Sequence, residues 1–246
     1  MNGLDGAVAL VTGASRGIGA ATASALHRQG ANVIVHYGSQ AGPAHRLASE
    51  LGRATHVVGG DLTDPAQLER VWAEALAWHG RVDALVNNAG GWIPSPLDDK
   101  QAWNDGWSLN LALNLTAPAE LCRLAIGHFR QRGGGIIVNV TSRSAHRGDD
   151  AGHLAYGAAK AGLLALTKGI ARGCGRDGIL AYAIAPGWVA TDLAAGQLTA
   201  EMAAGMPLGE PTPPEDVAEL IAFLASGRCR HATGSTVDIT GADYVR

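Results

Sequence analysis

Tyr156 and Lys160 stand four residues apart in the stretch LAYGAAKAGL. On a helix that spacing puts both side chains on one face, one turn apart. A free phenol titrates near ~10 and exchanges protons poorly at neutral pH. A neighbouring ammonium favours the phenolate and lowers that value, so the pair reads as a general acid/base with its tuning group. Gly157, Ala158 and Ala159 leave room for other groups to come close. Ser142, closing the run GGIIVNVTS, carries a hydroxyl able to bond a substrate oxygen and share its proton with Tyr156. By itself the Y-x-x-x-K spacing is also readable as a purely structural pair.

A second constellation lies near the N-terminus. VTGASRGIGAA carries Gly13, Gly17 and Gly19, with Ser15, Arg16 and Ile18 between them. Gly13 suits a tight turn, Gly17 lets backbone approach a pyrophosphate, and Gly19 lets the following helix pack on the sheet. The helix N-terminus adds N–H groups and partial positive charge. The loop has no G-K-[ST] ending, which excludes an NTPase P-loop. Other strand ends should line the same ligand: Asp61 and Leu62 follow the third strand, and Asn88, Ala89 and Gly90 the fourth. The bland readings are a ligand-free turn, a turn aspartate and a strand-ending asparagine. The second strand ends His36-Tyr37-Gly38-Ser39 with no acid to hold a ribose 2′-hydroxyl. Tyr37 is where that acid would sit, and Tyr37 and Ser39 are taken as cofactor contacts. With Arg16 nearby this favours NADP(H), with NAD(H) possible; Arg16 as a solvated loop charge is the alternative.

These residues need a scaffold. Short β-branched runs at 7–12, 31–37, 54–60, 81–90, 134–142, 179–187 and 235–240 alternate with helical stretches at 17–30, 42–52, 64–80, 100–132, 153–174 and 213–225. Asp64 is the expected N-cap of the third helix, Pro65 its first turn and Gly80 its stop. Apolar strands alternating with helices imply an α/β fold: one doubly wound Rossmann-type domain over 1–246, with a parallel seven-stranded sheet covered on both faces. The irregular stretch from Pro186 to Pro214 is long enough to be a substrate lid.

Bulk composition narrows the partners. Hydrophobic residues make up 47% of the 246 and charged residues 17%, which suits a packed core. The net charge of −3 and the lack of a basic stripe argue against nucleic acid. No run approaches the ~18 apolar residues of a membrane span, and the N-terminus does not read as a signal peptide. Cys122, Cys174 and Cys229 are scattered and odd in number, which suggests a reducing cytoplasm and no zinc or disulfide framework. The nine histidines show no metal spacing.

TGASRGIG, NNAG, VTS, YGAAK and PGWVATD occur in this order, each at a strand end or on the helix after it. The combination resembles the short-chain dehydrogenase/reductase family over nearly the whole chain, and most closely its 3-oxoacyl-carrier-protein reductase-like ketoreductases. The resemblance implies a hydride moved between nicotinamide and a carbonyl or secondary alcohol. Tyr156 would donate the proton, Ser142 hold the oxygen, and Lys160 bind the nicotinamide ribose and lower the tyrosine pKa. Asn114 in WSLNLALN would hold a water linking Lys160 to solvent, a role that needs a distorted helix; Asn110 is its rival. Pro186 and Gly187 would pass beside the nicotinamide, the Val189 backbone would meet its carboxamide, and Thr191 the carboxamide or pyrophosphate. Family members pack their C-terminal end at a subunit interface, implying a homo-oligomer, tetramer or dimer.

Two features depart from the family pattern. Ser142 lies 14 residues before Tyr156, about one more than usual, so Thr141 and Ser144 compete for its role. The ending VDITGADYVR replaces the usual pair of glycines after the aspartate. Among other residues, His146 and His153 are either substrate contacts or solvated loop histidines. Trp92 and Trp188 are either pocket walls or packing. The rival functions are a non-catalytic NADP(H) sensor, an NAD(H)-using dehydrogenase of the same fold, and a Rossmann-like methyltransferase, which would need neither Tyr156 nor Lys160.

Overall fold

Val8, Ala9, Leu10 and Val11 are all buried, and they alternate. Ala9 and Val11 enter one apolar cluster, Val8 and Leu10 the other. A strand apolar on both faces must be covered on both, which is the origin of the layered fold. The computed structural model describes residues 3–192 and 194–246. Leu193, inside the expected lid, lies outside the described residues.

The strands are β1 (Val8–Val11), β2 (Asn32–Tyr37), β3 (Thr55–Gly59), β4 (Ala84–Asn87), β5 (Gly135–Val140), β6 (Ile179–Pro186) and β7 (Thr236–Ile239). They form one seven-stranded sheet in the order β3-β2-β1-β4-β5-β6-β7, and every pairing is parallel. The helices are α1 (Gly17–Arg28), α2 (Ala41–Leu51), α3 (Pro65–His79), α4 (Lys100–Leu111), α5 (Ala117–Arg132), α6 (Ser144–Arg147), α7 (Leu154–Cys174), α8 (Ala200–Ala204) and α9 (Pro214–Ala225). α1, α2 and α9 cover one face, around Leu26, Ala44 and Ile221. α3, α5 and α7 cover the other, around Trp72, Phe129 and Ile170. Among the described residues no helix is long and apolar enough to cross a membrane.

Local signals set several boundaries. The Asp64 carboxylate accepts the N–H groups of Ala66 and Gln67 at the start of α3, and Gly80 closes it at φ 67°. The region read as one helix over 100–132 is three pieces. α4 passes into a π-helical turn at Ala112–Thr116 before α5 begins. Pro118 explains the widening: without an N–H it has nothing to give the carbonyl of Asn114, four residues back. The stretch from Pro186 to Pro214 is less irregular than expected. It holds α8, and Val189 pairs with Thr212 in an isolated parallel bridge that draws its two ends together.

Candidate active site

The strand order reverses between β1 and β4, so the loops leaving their carboxyl ends part and open a crevice. A cleft of ≈ 450 Å³ lies there. Its floor is knitted by the first residues of TGASRGIG and the residues of NNAG. Thr12 Oγ1 accepts the N–H groups of Asn88 and Ala89, both at 3.0 Å, joining the ends of β1 and β4. Asn88 Nδ2 in turn donates to the carbonyls of Thr12 and Gly13 at 2.9 and 3.1 Å. Gly13 sits at φ 62°, and a Cβ there would lie 2.9 Å from Ala89 Cα. Glycine is therefore dictated twice at this position, by conformation and by approach.

His36 ties the glycine loop to the next strand end. Its Nδ1 accepts the Gly13 N–H at 3.1 Å and its Nε2 lies 3.0 Å from the Gly60 carbonyl. The first contact needs a bare Nδ1 and the second an Nε2–H, so the ring is neutral in one defined tautomer. Burial pushes its pKa down to about 4, only partly offset by the Gly60 bond.

Most of the expected contacts line this cleft. Gly13, Ser15, Arg16, Gly17 and Ile18 form one wall, with Ser39, Asp61 and Leu62 at one end. Asn88, Ala89, Gly90, Pro186, Gly187, Val189 and Thr191 lie along it toward Ser142, Tyr156 and Lys160. Three expected residues do not line it. Gly19 lies behind the loop, where a Cβ would collide with the Gly13 carbonyl and the Asn88 amide, so it lets α1 pack close against the carboxyl ends of β1 and β4. Tyr37 points the other way because side chains alternate along β2: its ring covers Gly59 and joins the apolar cluster under α1 and α2. His36 and Gly38 line the cleft on either side of it. Asn114 stands one layer back, in the π-helical turn.

At the other end the reactive groups converge. Lys160 is 4% exposed, donates to the Val140 carbonyl at 2.9 Å, and has its Nζ 5.8 Å from the Tyr156 ring centre. Burial pushes the Lys160 ammonium down to about 8. Enclosure of the phenol end of the half-buried Tyr156 pushes its pKa up to about 12, against a hydrogen bond from Ser142 that pulls it down and Asp149, which pushes it further up. The expected lowering of the phenol by the ammonium is thus outweighed, because desolvation penalises both charged forms. The rival hydroxyls Thr141, Ser142 and Ser144 all line the cleft. Thr141 donates its own to the Ile184 carbonyl at 2.7 Å, and Ser142 Oγ accepts the Ser144 N–H at 3.1 Å.

Asn114 and Asn110 form a pair. Asn114 Nδ2 donates to the Gly91 carbonyl at 2.9 Å and to Asn110 Oδ1 at 3.1 Å, while its Oδ1 accepts the Gly91 N–H at 3.2 Å. Asn110 donates to Ile93 and Gly106 instead. A Cβ on Gly90 would sit 2.8 Å from Asn114 Oδ1 and 3.2 Å from Lys160 Nζ, so both groups converge on this glycine.

An enoyl-(acyl carrier protein) reductase family model matches residues 13–241. The 3-oxoacyl-[acyl-carrier-protein] reductase FabG of Vibrio cholerae is 36% identical over 246 residues, covering 98% of this chain and 99% of that protein. The chain belongs to the short-chain dehydrogenase/reductase family. Among solved structures, a blue fluorescent protein from a metagenomic library in complex with NADPH is similar over 100% of both chains, at 35% identity and a TM-score of 0.89. The 3-ketoacyl-(acyl-carrier-protein) reductase of Brucella melitensis, complexed with NADH, is similar over 98% of this chain and 100% of that one, at 28% identity and a TM-score of 0.87. This short-chain dehydrogenase/reductase is an oxidoreductase.

Two cleft residues of this family member carried no motif signal, His36 and Arg143. His36 acts through hydrogen bonds to Gly13 and Gly60. Arg143 lines the cleft with its guanidinium paired to Asp243 of the C-terminal segment. His146 and His153 do not line this cleft and are not solvated: both side chains are mostly enclosed, His146 facing Asp238 and His153 bonded to Asp150 at 2.8 Å. Trp92 and Trp188 both reach the cleft. Among the described residues no cluster of His, Cys, Asp and Glu side chains has the makings of a metal site.

Proposed function

We propose that this chain is an NADP(H)-dependent carbonyl reductase that also runs as a secondary-alcohol dehydrogenase, with Tyr156 as general acid/base. The observation that carries the reading is the meeting of Tyr156, Ser142 and Lys160 at one end of a cleft whose other end is the glycine loop. The cleft suits a dinucleotide. Gly13 and Gly90 let the loops leaving β1 and β4 close up against Ala89, Asn114 and Lys160 along the cleft, and the N-terminus of α1 supplies donors for a pyrophosphate. Asp61 and Leu62 would bound the adenine, and Pro186 to Thr191 the nicotinamide. The bound cofactor supplies or accepts hydride.

The protein's own part is the proton. A phenol pushed up to about 12 is fully protonated at neutral pH, as a donor to a carbonyl oxygen must be. Ser142 holds that oxygen. Tyr156 gives its proton as the alcohol forms, and Lys160, pushed down to about 8, returns one to the phenolate. Asn114 keeps the β4 loop beside Lys160 through Gly91, and the implied solvent link of Lys160 runs past it.

NADP(H) is favoured because His36, Gly38, Ser39 and Gln40 bring no acid to the adenosine end and Arg16 lies at its rim. Arg16 also meets Asp192 at 3.5 Å in an exposed pair, and this competition favours NAD(H) as the second reading. The segment from Pro186 to Pro214 is the proposed lid, the assembly a homo-oligomer and the compartment the cytoplasm. A carbonyl panel with NADPH and with NADH, followed by nicotinamide absorbance, tests the proposal. Turnover with NADPH is expected. Cofactor binding without any turnover would favour the sensor, and failure to bind either cofactor would remove the oxidoreductase reading of this site.

A further inference from the structure

Six side chains from four separate segments form a continuous belt along the mouth of the cleft. Asp150 Oδ1 holds His153 Nδ1 at 2.8 Å. The His153 ring stacks on Trp92 at 3.6 Å between centres and 14° between planes. Trp92 meets Trp188 edge to face at 5.9 Å and 83°. The Arg143 guanidinium lies 5.7 Å from the centre of the Trp188 ring, and Asp243 pairs with Arg143. Of these, Trp92, Trp188 and Arg143 line the cleft that holds Ser142 and Tyr156, while His153 stands behind Trp92.

The belt has a definite shape. One face of Trp92 is covered by imidazole and one side of Trp188 by guanidinium. Carboxylates fix both outer members, so neither indole is free to collapse into the space. What remains is a corner of two flat apolar plates at nearly a right angle, half-buried and joined to the reactive end. Trp188 directly follows Gly187 and Trp92 follows Gly91, so the corner stands on the same loops as the proposed nicotinamide strip. A planar or near-planar ring can lay its face on one plate and its edge on the other, the arrangement aromatic groups favour. A flexible acyl chain gains less from a rigid corner and gives up rotamer freedom to lie in it. The rim is not basic either: Arg147 is accompanied by Asp149 and Asp150, which does not suit an acidic carrier.

We infer that the carbonyl substrate carries a ring, aryl or cycloalkyl, seated in the corner between Trp92 and Trp188, with its carbonyl at Tyr156 and Ser142. The inference rests on the carbonyl-reductase reading and adds a substrate class to it. The test uses the full chain with NADPH and three probes: acetophenone, cyclohexanone and the linear ethyl acetoacetate. In the unaltered protein kcat/KM for the ring ketones should exceed that for the linear ester by about ten-fold or more. Trp92→Ala and Trp188→Ala should bring that ratio close to one. Trp188→Leu, which keeps apolar volume while removing the plate, should collapse it too, even if the alanine variants fold poorly. A ratio at or below one in the unaltered protein, or a ratio unmoved by Trp188→Leu, overturns the ring assignment and leaves the carbonyl-reductase reading standing. No turnover of any probe, the linear ester included, overturns both.

Discussion

Burial decides the charge state of the residues that matter most, and His36 shows it with a consequence for stability. Its imidazole is 1% exposed and pushed down to about 4 from an ordinary 6.5. Above pH 6.5 it is neutral whether the chain is folded or unfolded. Between 6.5 and about 4 the unfolded chain binds a proton that the folded chain refuses, so stability falls as pH falls. The contribution is about 3 kcal/mol across that window, since one pKa unit is ~1.4 kcal/mol. His36→Asn keeps a side-chain acceptor near Gly13 but cannot take up the proton. Urea unfolding at neutral pH and near the lower end of the window should show the variant losing about 2–3 kcal/mol less than the parent on acidification. Equal losses would mean that His36 does not titrate differently on folding. The same enclosure acts on Tyr156 and Lys160: the phenol, expected from spacing to be lowered by the ammonium, is pushed up to about 12, and Lys160 is pushed down to about 8.

At the scale of elements, the site depends on a helix that is not continuous. Pro118 withholds an N–H from the Asn114 carbonyl, the turn widens over Ala112–Thr116, and the Asn114 amide reaches Gly91. Pro118→Ala restores that donor and should let the turn close toward α-helix. The expected result is a fall in kcat of roughly ten-fold with little change in cofactor Kd, because only the proton end is disturbed. Unchanged kcat would separate the widened turn from the chemistry. The bounds of α3 were legible because Asp64, Pro65 and Gly80 are local signals. The parallel seven-stranded sheet was legible from the alternation of apolar strands with helices, and the approach of Tyr156 to Ser142 from the fall of five motifs at strand ends; the strand order was not. Other parts were not. α6 and α8 are too short to show a period. Tyr37 was misplaced because its strand position is right but its face is wrong. The indole corner joins His153 to Trp92 and Asp243 to Arg143 across long stretches of chain, so it exists only once the sheet brings the loops together.

Over the whole molecule, the carboxyl edge of one parallel sheet places the glycine loop and the proposed proton-transfer group, Tyr156, Ser142 and Lys160, at opposite ends of a single cleft. The end of β2, His36 to Gln40, has no carboxylate to repel a 2′-phosphate, and a charge-assisted contact from Arg16 would be worth about 1.5–3 kcal/mol before solvent and Asp192 reduce it. NADPH should therefore exceed NADH in kcat/KM by about ten-fold at low salt. Because Tyr37 faces the core, Gly38 is the position to alter: it lines the cleft, and a Cβ there meets nothing within 4 Å. Gly38→Asp should reverse the order of the two cofactors, and an NADH preference in the parent would return Arg16 to its pairing with Asp192. The division of the cleft itself is tested most directly by Tyr156→Phe, with NADPH Kd and carbonyl turnover measured on the same sample. Removing one hydroxyl takes away the proton donor and leaves the glycine loop, Lys160 and the rest of the cofactor cleft in place. The result expected is a Kd within about two-fold of the parent and kcat lower by at least ~10²-fold; a variant that still turns over at near-parental rate would contradict the account.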